Sequence, residues 1–460
     1  MTHPKPNRRD FLLGSLATGA GIASLGGFGP LGRLARATGG ATAGSDQHYV
    51  FCYFGGGWDI LLSLDPRDPL LFHEGNIKNT LIQPGYEFIE DFDTTLLQGP
   101  GDYMLGPFMG ELAQHLDKLA IVRGMSMETL THQVGRRRFL TGKPPAGLAA
   151  RGSSGATWLA SALGSEHAIP NLAMRVESYN ADQPNYATGL TVSTVDDLLR
   201  ALRPSEPALS QIERQQVDEL LSNVAACPNA LRSPFWQSAE ESRIRSQDMV
   251  AAQLDSLFDF MANTNEMAAL RDQYGIANAN DAKSSPRAQA AVAAQALKGG
   301  VSRVVSVQLT GNLDTHFEEW ATDQGPRQME GFDAVARLVE DLGSSQYKDT
   351  SETWLDHTTI IGFSEFCRGA LMNSRGGRDH SLTNACFLIG GNIQGGQVIG
   401  RSSDVGMAPT PTNLATGQWD LESGEVIRPE HVLRTLMVDA GIEEDDADLR
   451  VDPVTALLKS

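Results

Sequence analysis

Cysteine is scarce: the 460 residues hold four, Cys52, Cys227, Cys367 and Cys386, and no two stand in Cys-x-x-Cys spacing. That argues against a structural zinc site. Scattered cysteines in a chain this long read as small buried hydrophobes, with a disulfide left open only if the protein is exported. Long apolar runs are missing too, and no stretch after the leader has the length of a transmembrane helix. Basic residues are the minority charge, 37 Lys and Arg against 56 Asp and Glu, for a net charge of −19. Outside the leader the only basic run is Arg136-Arg137-Arg138. Nucleic acid is therefore not expected as a partner. Gly-x-Gly-x-x-Gly spacing is absent after the first strand, so dinucleotide binding has little support.

What is present begins with a leader. Asn7-Arg8-Arg9-Asp10-Phe11-Leu12-Leu13 resembles a twin-arginine export motif, a Gly/Ala-rich apolar stretch follows, and Ala35-Arg36-Ala37 has the form of a cleavage site. Residues 1–37 are read as a signal peptide and 38–460 as the mature domain. Removal takes away five basic residues and Asp10, leaving 32 basic against 55 acidic groups and a charge of −23. The expected location is periplasmic or secreted, with the twin-arginine machinery as the export partner.

The mature chain alternates apolar strands with helices, which predicts a mainly parallel sheet covered on both faces. Strands are expected at Tyr49–Phe54, Leu119–Gly124, Ser302–Thr310, Thr358–Phe363 and Cys386–Gly391, each β-branched or apolar and ended by polar or glycine residues. A helical insertion is expected over about 199–280. There Leu209, Ile212, Val217, Leu220 and Val224 recur at helical spacing, as a packing face would.

Polar residues cluster where these strands end. The first runs into Gly55-Gly56-Gly57-Trp58-Asp59, the second leads to Thr131-His132, the third to Asp314-Thr315-His316, and the fourth to Ser364-Glu365. A nearby loop adds Arg378-Asp379-His380. Open α/β sheets place their ligand sites beyond the carboxyl ends of the strands. Carboxylates gathered there would repel unless cations separate them. Mixed carboxylate and imidazole ligands suit zinc, manganese or iron, and an oxygen-rich subset suits calcium or magnesium. Such a centre can hold a small anionic ester, and a threonine hydroxyl beside it can act as nucleophile. Each residue also has an ordinary explanation, a helix cap for a strand-end Asp or a structural hydrogen bond for a His. Arg136–Arg138 divides evenly between an anion clamp and a solvated helix face.

The segments Phe54–Asp59, Asp314–His316, Ser364–Gly369, Gly377–Ser381 and Gly395–Gly400, in this order, resemble the DUF1501 family, and through it the alkaline phosphatase and sulfatase superfamily. The resemblance implies an alkaline-phosphatase-like three-layer α/β sandwich with a metal-dependent site at the carboxyl edge of its sheet. It implies Asp59, Asp314, His316, Glu365 and His380 as metal ligands and puts Thr131 or Thr129 near the nucleophile position, with Thr131 the candidate. Arg368 or Arg378 would clamp the anion, with His132 and Asp379 as further site residues. Glu365 stands where many members have an Asp-His pair, and no distinctive nucleophile motif surrounds Thr131. The expectation is an exported metal-dependent hydrolase of phosphate or sulfate esters. A non-catalytic envelope protein keeping the fold is the alternative. A Ser364–His380 acyl hydrolase is weaker, because no Gly-x-Ser-x-Gly elbow surrounds Ser364.

Overall fold

In a computed structural model the described residues are 46–144, 147, 149–203, 209–442 and 445–459. The expected leader lies outside them. The centre is an eight-stranded sheet. In chain order its strands are β1 (His48–Phe54), β2 (Leu119–Ser126), β3 (Asn171–Met174), β4 (Leu190–Val192), β5 (Val304–Thr310), β6 (Thr358–Phe363), β7 (Thr383–Gly390) and β8 (Gln397–Ile399). Their spatial order is β8-β2-β7-β6-β1-β5-β3-β4. Pairing is parallel throughout except for β7, which runs antiparallel to both β2 and β6.

That exception matters for the site. The other strands deliver their carboxyl ends to one edge. The reversed β7 begins at that edge, so the residues just before it, including His380, arrive there as well. Sequence reading alone placed His380 only in a loop.

Strand periodicity sorts β1 between two cores. Val50, Cys52 and Phe54 pack into a cluster with Ala290, Ala294, Phe332 and Val335 of helices α2 (Pro286–Lys298) and α3 (Gly325–Ser344). Tyr49, Phe51 and Tyr53 pack with Phe139 of α1 (His132–Thr141) and Leu433 and Leu436 of α4 (Pro429–Asp439). All of β1 is buried, as both-face coverage requires. The helix starts are chemically marked: Pro286 opens α2, where the Ser285 hydroxyl accepts from Ala288 N at 3.1 Å, and Pro429 opens α4. No helix among the described residues is long and apolar enough to cross a membrane.

Gly110–Lys118 forms a 3-10 segment before β2. The short strands β3, β4 and β8 were not anticipated, because three or four residues carry no usable periodicity. Within the insertion, helix Gln211–Ala225 forms where helical spacing predicted it, and Pro234–Ala251 forms a second helix that no spacing marked. The apolar stripe of the first is nevertheless open to solvent: Leu209, Ile212, Val217, Leu220 and Val224 are all exposed. Spacing shows which residues share a face, but not whether another element covers it.

Candidate metal centre

Three imidazoles converge on one carboxylate. Asp314 Oδ1 lies 3.2 Å from His132 Nε2, 3.0 Å from His316 Nε2 and 3.4 Å from His380 Nε2. His316 Nε2 and His380 Nε2 stand 3.0 Å apart. His132, Asp314 and His380 each offer an atom within 4.8 Å of the others, a compact donor set for a cation.

The residues arrive from four directions. Asp314 and His316 follow β5, His132 opens α1 after β2, and Arg368 follows β6. His380 pairs with Arg368 in a two-residue antiparallel ladder, Cys367–Arg368 against His380–Ser381. Glycines permit the approach at two points. Gly56, at φ +114°, lies so close to the Asp314 loop that a Cβ there would meet Leu313 N at 2.5 Å and Asp314 N at 2.8 Å. Gly135, one turn into α1, faces the backbone of Glu365, whose carbonyl oxygen would lie 2.3 Å from an added Cβ. Gly135→Ala is expected to push α1 off Glu365 and to cost about 2 kcal/mol in urea unfolding. Unchanged stability would show that α1 does not need this contact.

Each imidazole is held from behind by its other nitrogen. His132 Nδ1 donates to Glu365 Oε1 at 2.7 Å, His316 Nδ1 to Asp379 Oδ1 at 2.8 Å, and His380 Nδ1 to the Leu130 carbonyl at 2.6 Å. A carbonyl oxygen can only accept, and ionised carboxylates only accept. Those bonds therefore fix the proton of a neutral ring on Nδ1 and turn the Nε2 lone pair inward. Lone pairs gathered this closely around a carboxylate oxygen repel unless protons or a cation separate them.

The donor chemistry fits a metal. Around an ion bound at ~2.0–2.1 Å, tetrahedral ligand atoms stand about 3.3–3.4 Å apart. The four separations above, 3.0 to 3.4 Å, sit at or slightly inside that spacing. Three nitrogens with one oxygen favour zinc or manganese over calcium, whose ligands are oxygens.

Charges are tuned to match. Burial opposes ionisation of Asp314, but hydrogen bonding and charge from Arg368, followed by His132 and His380, win and bring its pKa down to about 2. Burial lowers the pKa of His380, and the nearby Arg368 charge adds to this against the raising effect of Leu130 and Asp314, so the neutral ring is favoured. Glu365 is buried, which pushes its pKa up, yet the His132 hydrogen bond outweighs that and holds it below the usual carboxylate value. A carboxylate depressed in the fold stabilises the protein above its unfolded pKa of about 3.9, and that contribution is lost as pH falls through the folded value. In metal-free protein, the loss attributable to Asp314 is expected between pH 4 and about 2. Asp314→Asn should flatten that part of the stability–pH curve; an unaltered acid limb would count against the Arg368 pairing.

Several expected site residues have other work. Asp59, expected as a metal ligand, is fully buried and spends both oxygens elsewhere: its Oδ1 accepts from Leu61 N at 3.1 Å, and its Oδ2 accepts from Trp320 Nε1 at 2.8 Å and pairs with Arg378 Nε at 2.9 Å. A strand-end Asp has become a helix cap and a buried ion-pair partner. Arg378, expected to clamp an anion, is likewise buried and donates to the carbonyls of Gly369, Gln83 and Pro84. Arg368 spends its donors on Gly57 O, Gly56 O, Arg378 O, His316 Nε2 and Asp314 Oδ1, so it orients Asp314 rather than presenting a free fork. Glu365 contacts His132 and Gly56 N rather than the point where the Nε2 atoms meet. Thr131 is exposed, precedes His132 and makes no capping hydrogen bond. Ser364 is buried, and its hydroxyl is taken up by Trp58 N and Glu365 Oε2, which removes the acyl-hydrolase reading.

Three contributors escaped sequence reading. The Leu130 carbonyl holds His380, and a backbone oxygen has no sequence signature. Phe366 is buried under the rings, 4.7 Å from His132 and 4.3 Å from His380 between centroids. Its place directly after Glu365 was the available hint. Arg375, half-exposed, pairs with Asp379 at 3.1 Å.

Comparison with known proteins places this geometry in a family. The family model described as "Protein of unknown function (DUF1501)" matches residues 47–417. No curated protein matches the chain significantly. Among solved structures, the chain is similar to Ps i-CgsB in complex with k-i-k-neocarrahexaose, at 9% identity and a TM-score of 0.37, covering 89% of this chain and 75% of that one. It is also similar to the PsFucS1 sulfatase from Pseudoalteromonas sp., at 12% identity and a TM-score of 0.34, covering 90% and 72%. Likenesses this distant carry no argument about chemistry here.

Proposed function

The chain belongs to the DUF1501 family, and from that premise we propose that it is an exported, metal-dependent hydrolase of phosphate or sulfate esters. The observation carrying this reading is the convergence of His132, His316 and His380 Nε2 atoms on Asp314 Oδ1, each ring held from behind. His132, Asp314, His316 and His380 would hold the ion, zinc or manganese by their chemistry. When bound, the ion would supply a Lewis-acidic centre for a small anionic ester.

The chain's own groups do the rest. Glu365, Asp379 and the Leu130 carbonyl keep the Nδ1 protons in place, so that the Nε2 atoms stay basic and aimed inward. Arg368 holds Asp314 ionised. The Asp314 side chain is 47% exposed, so an ester can reach this group from solvent. Thr131, exposed and directly before His132 in the chain, would be the nucleophile. Residues 1–37 would act as a twin-arginine signal, leaving the domain from residue 38 periplasmic or secreted, with 199–280 as its helical insertion.

The test is calorimetric titration of chelator-treated protein with zinc and with manganese, followed by assays on aryl phosphate and aryl sulfate. The expected result is saturable binding and turnover that requires the ion. Protein that unfolds cooperatively but binds neither ion and hydrolyses neither ester would instead be a non-catalytic envelope protein that keeps the fold.

A further inference from the structure

Large exposed apolar side chains belong to the segments that carry the imidazole cluster. Leu130 is 46% exposed, Phe317 52% and Leu382 47%. Each is tied to the cluster by its own backbone or sequence position. The Leu130 carbonyl accepts from His380 Nδ1. Leu382 stands two residues past His380, and its carbonyl accepts from Met127 N at 2.8 Å, which brings its loop beside the one carrying Leu130. Phe317 directly follows His316 and bridges to Gly376. The Arg375 guanidinium lies 4.6 Å over the Phe317 ring and pairs with Asp379.

A single exposed leucine needs no explanation. Several around one charged, solvent-open centre form a binding rim, because ligand sites are mostly apolar with a few placed polar groups. Leucines offer nothing to the hydroxyls of a sugar. They do offer an aliphatic chain a surface on which to leave water. Arg375 adds a cation at the same rim to attract an anionic head.

Resting on the hydrolase reading above, we infer that the substrate is the anionic monoester of an aliphatic alcohol, its head at the imidazole–Asp314 cluster and its chain across Leu130, Leu382 and Phe317. The head is a phosphate or a sulfate.

The test uses full-length mature protein loaded with zinc and measures binding of ethyl and hexyl phosphate, ethyl and hexyl sulfate, and glucose 6-phosphate. Burial of part of four extra methylenes predicts hexyl binding tighter than ethyl by about 10- to 30-fold for the correct head. Glucose 6-phosphate should bind no better than ethyl phosphate. The double variant Phe317→Ser with Leu382→Ser should lose most of the hexyl preference while binding zinc as before, since neither residue contributes a group to the cluster. Equal binding of hexyl and ethyl esters by zinc-loaded protein would overturn this inference and leave the metal centre standing. Failure to bind either zinc or manganese, with no hydrolysis of either ester, would overturn the hydrolase reading, and this inference with it.

Discussion

Arg378→Met is expected to destabilise the metal-free protein by about 3–5 kcal/mol in urea or guanidinium unfolding. Both members of the Asp59–Arg378 pair are completely buried, 2.9 Å apart. The guanidinium also lies 4.7 Å over the Trp320 ring and donates to Gly369, Gln83 and Pro84 carbonyls. Removing it strands those carbonyls and leaves the Asp59 charge in the core with only Leu61 N and Trp320 Nε1 as donors. An unpaired buried charge is the costly case; loss of the whole pair is cheaper. Arg378→Met combined with Asp59→Asn should therefore recover part of the loss. A single variant within about 1 kcal/mol of the native protein would show that the pair does not anchor this edge of the sheet.

Asp314→Ala should weaken zinc binding by more than about 100-fold, beyond the 10- to 100-fold typical of changes one shell out. Asp314 Oδ1 is the one atom that all three Nε2 atoms approach. Its removal also releases the Arg368 Nη2 that pairs with it at 2.6 Å, adding a repulsive cation to the site. Asp379→Asn is the internal control. Within the cluster it touches only the back of His316, its other partners being Asn373 and Arg375, and it should fall inside the 10- to 100-fold range. The measurement is competition against a chelating dye, with circular dichroism to check the fold. If Asp379→Asn costs as much as Asp314→Ala, or neither changes affinity, the cluster is not the metal centre.

The strands that carry the site were legible because each is a short apolar run ended by glycine or polar residues. Tyr49–Phe54, Leu119–Gly124, Thr358–Phe363 and the run up to Thr310 appear as β1, β2, β6 and β5 with small changes at their ends. Asp314, His316 and His132 were legible as chemistry at strand exits and His380 in a nearby loop, and the fold brings their side chains together. The role of Asp59 was not legible. A strand-end carboxylate looks the same in sequence whether it meets a cation or caps a 3-10 turn beside a buried arginine. The same holds for Arg368, whose donors close on carbonyls supplied by Gly56 and Gly57, over 300 residues away in the chain. The insertion shows the limit from the other side: helix Gln211–Ala225 formed as its spacing predicted, while the stripe that spacing marked stayed in water.

Local chemistry was enough to set the strands, the helix starts and the inventory of acidic and imidazole groups at one edge, since periodicity, caps and glycine breaks act over a few residues. Which groups meet was left to the assembled sheet. The reversal of β7 carries His380 to the carboxyl edge, and close backbone approaches at Gly56 and Gly135 bring the Asp314 loop and α1 against their neighbours. Contacts between residues hundreds of positions apart depend on strand order and packing distance, and neither is written in the spacing of any single segment.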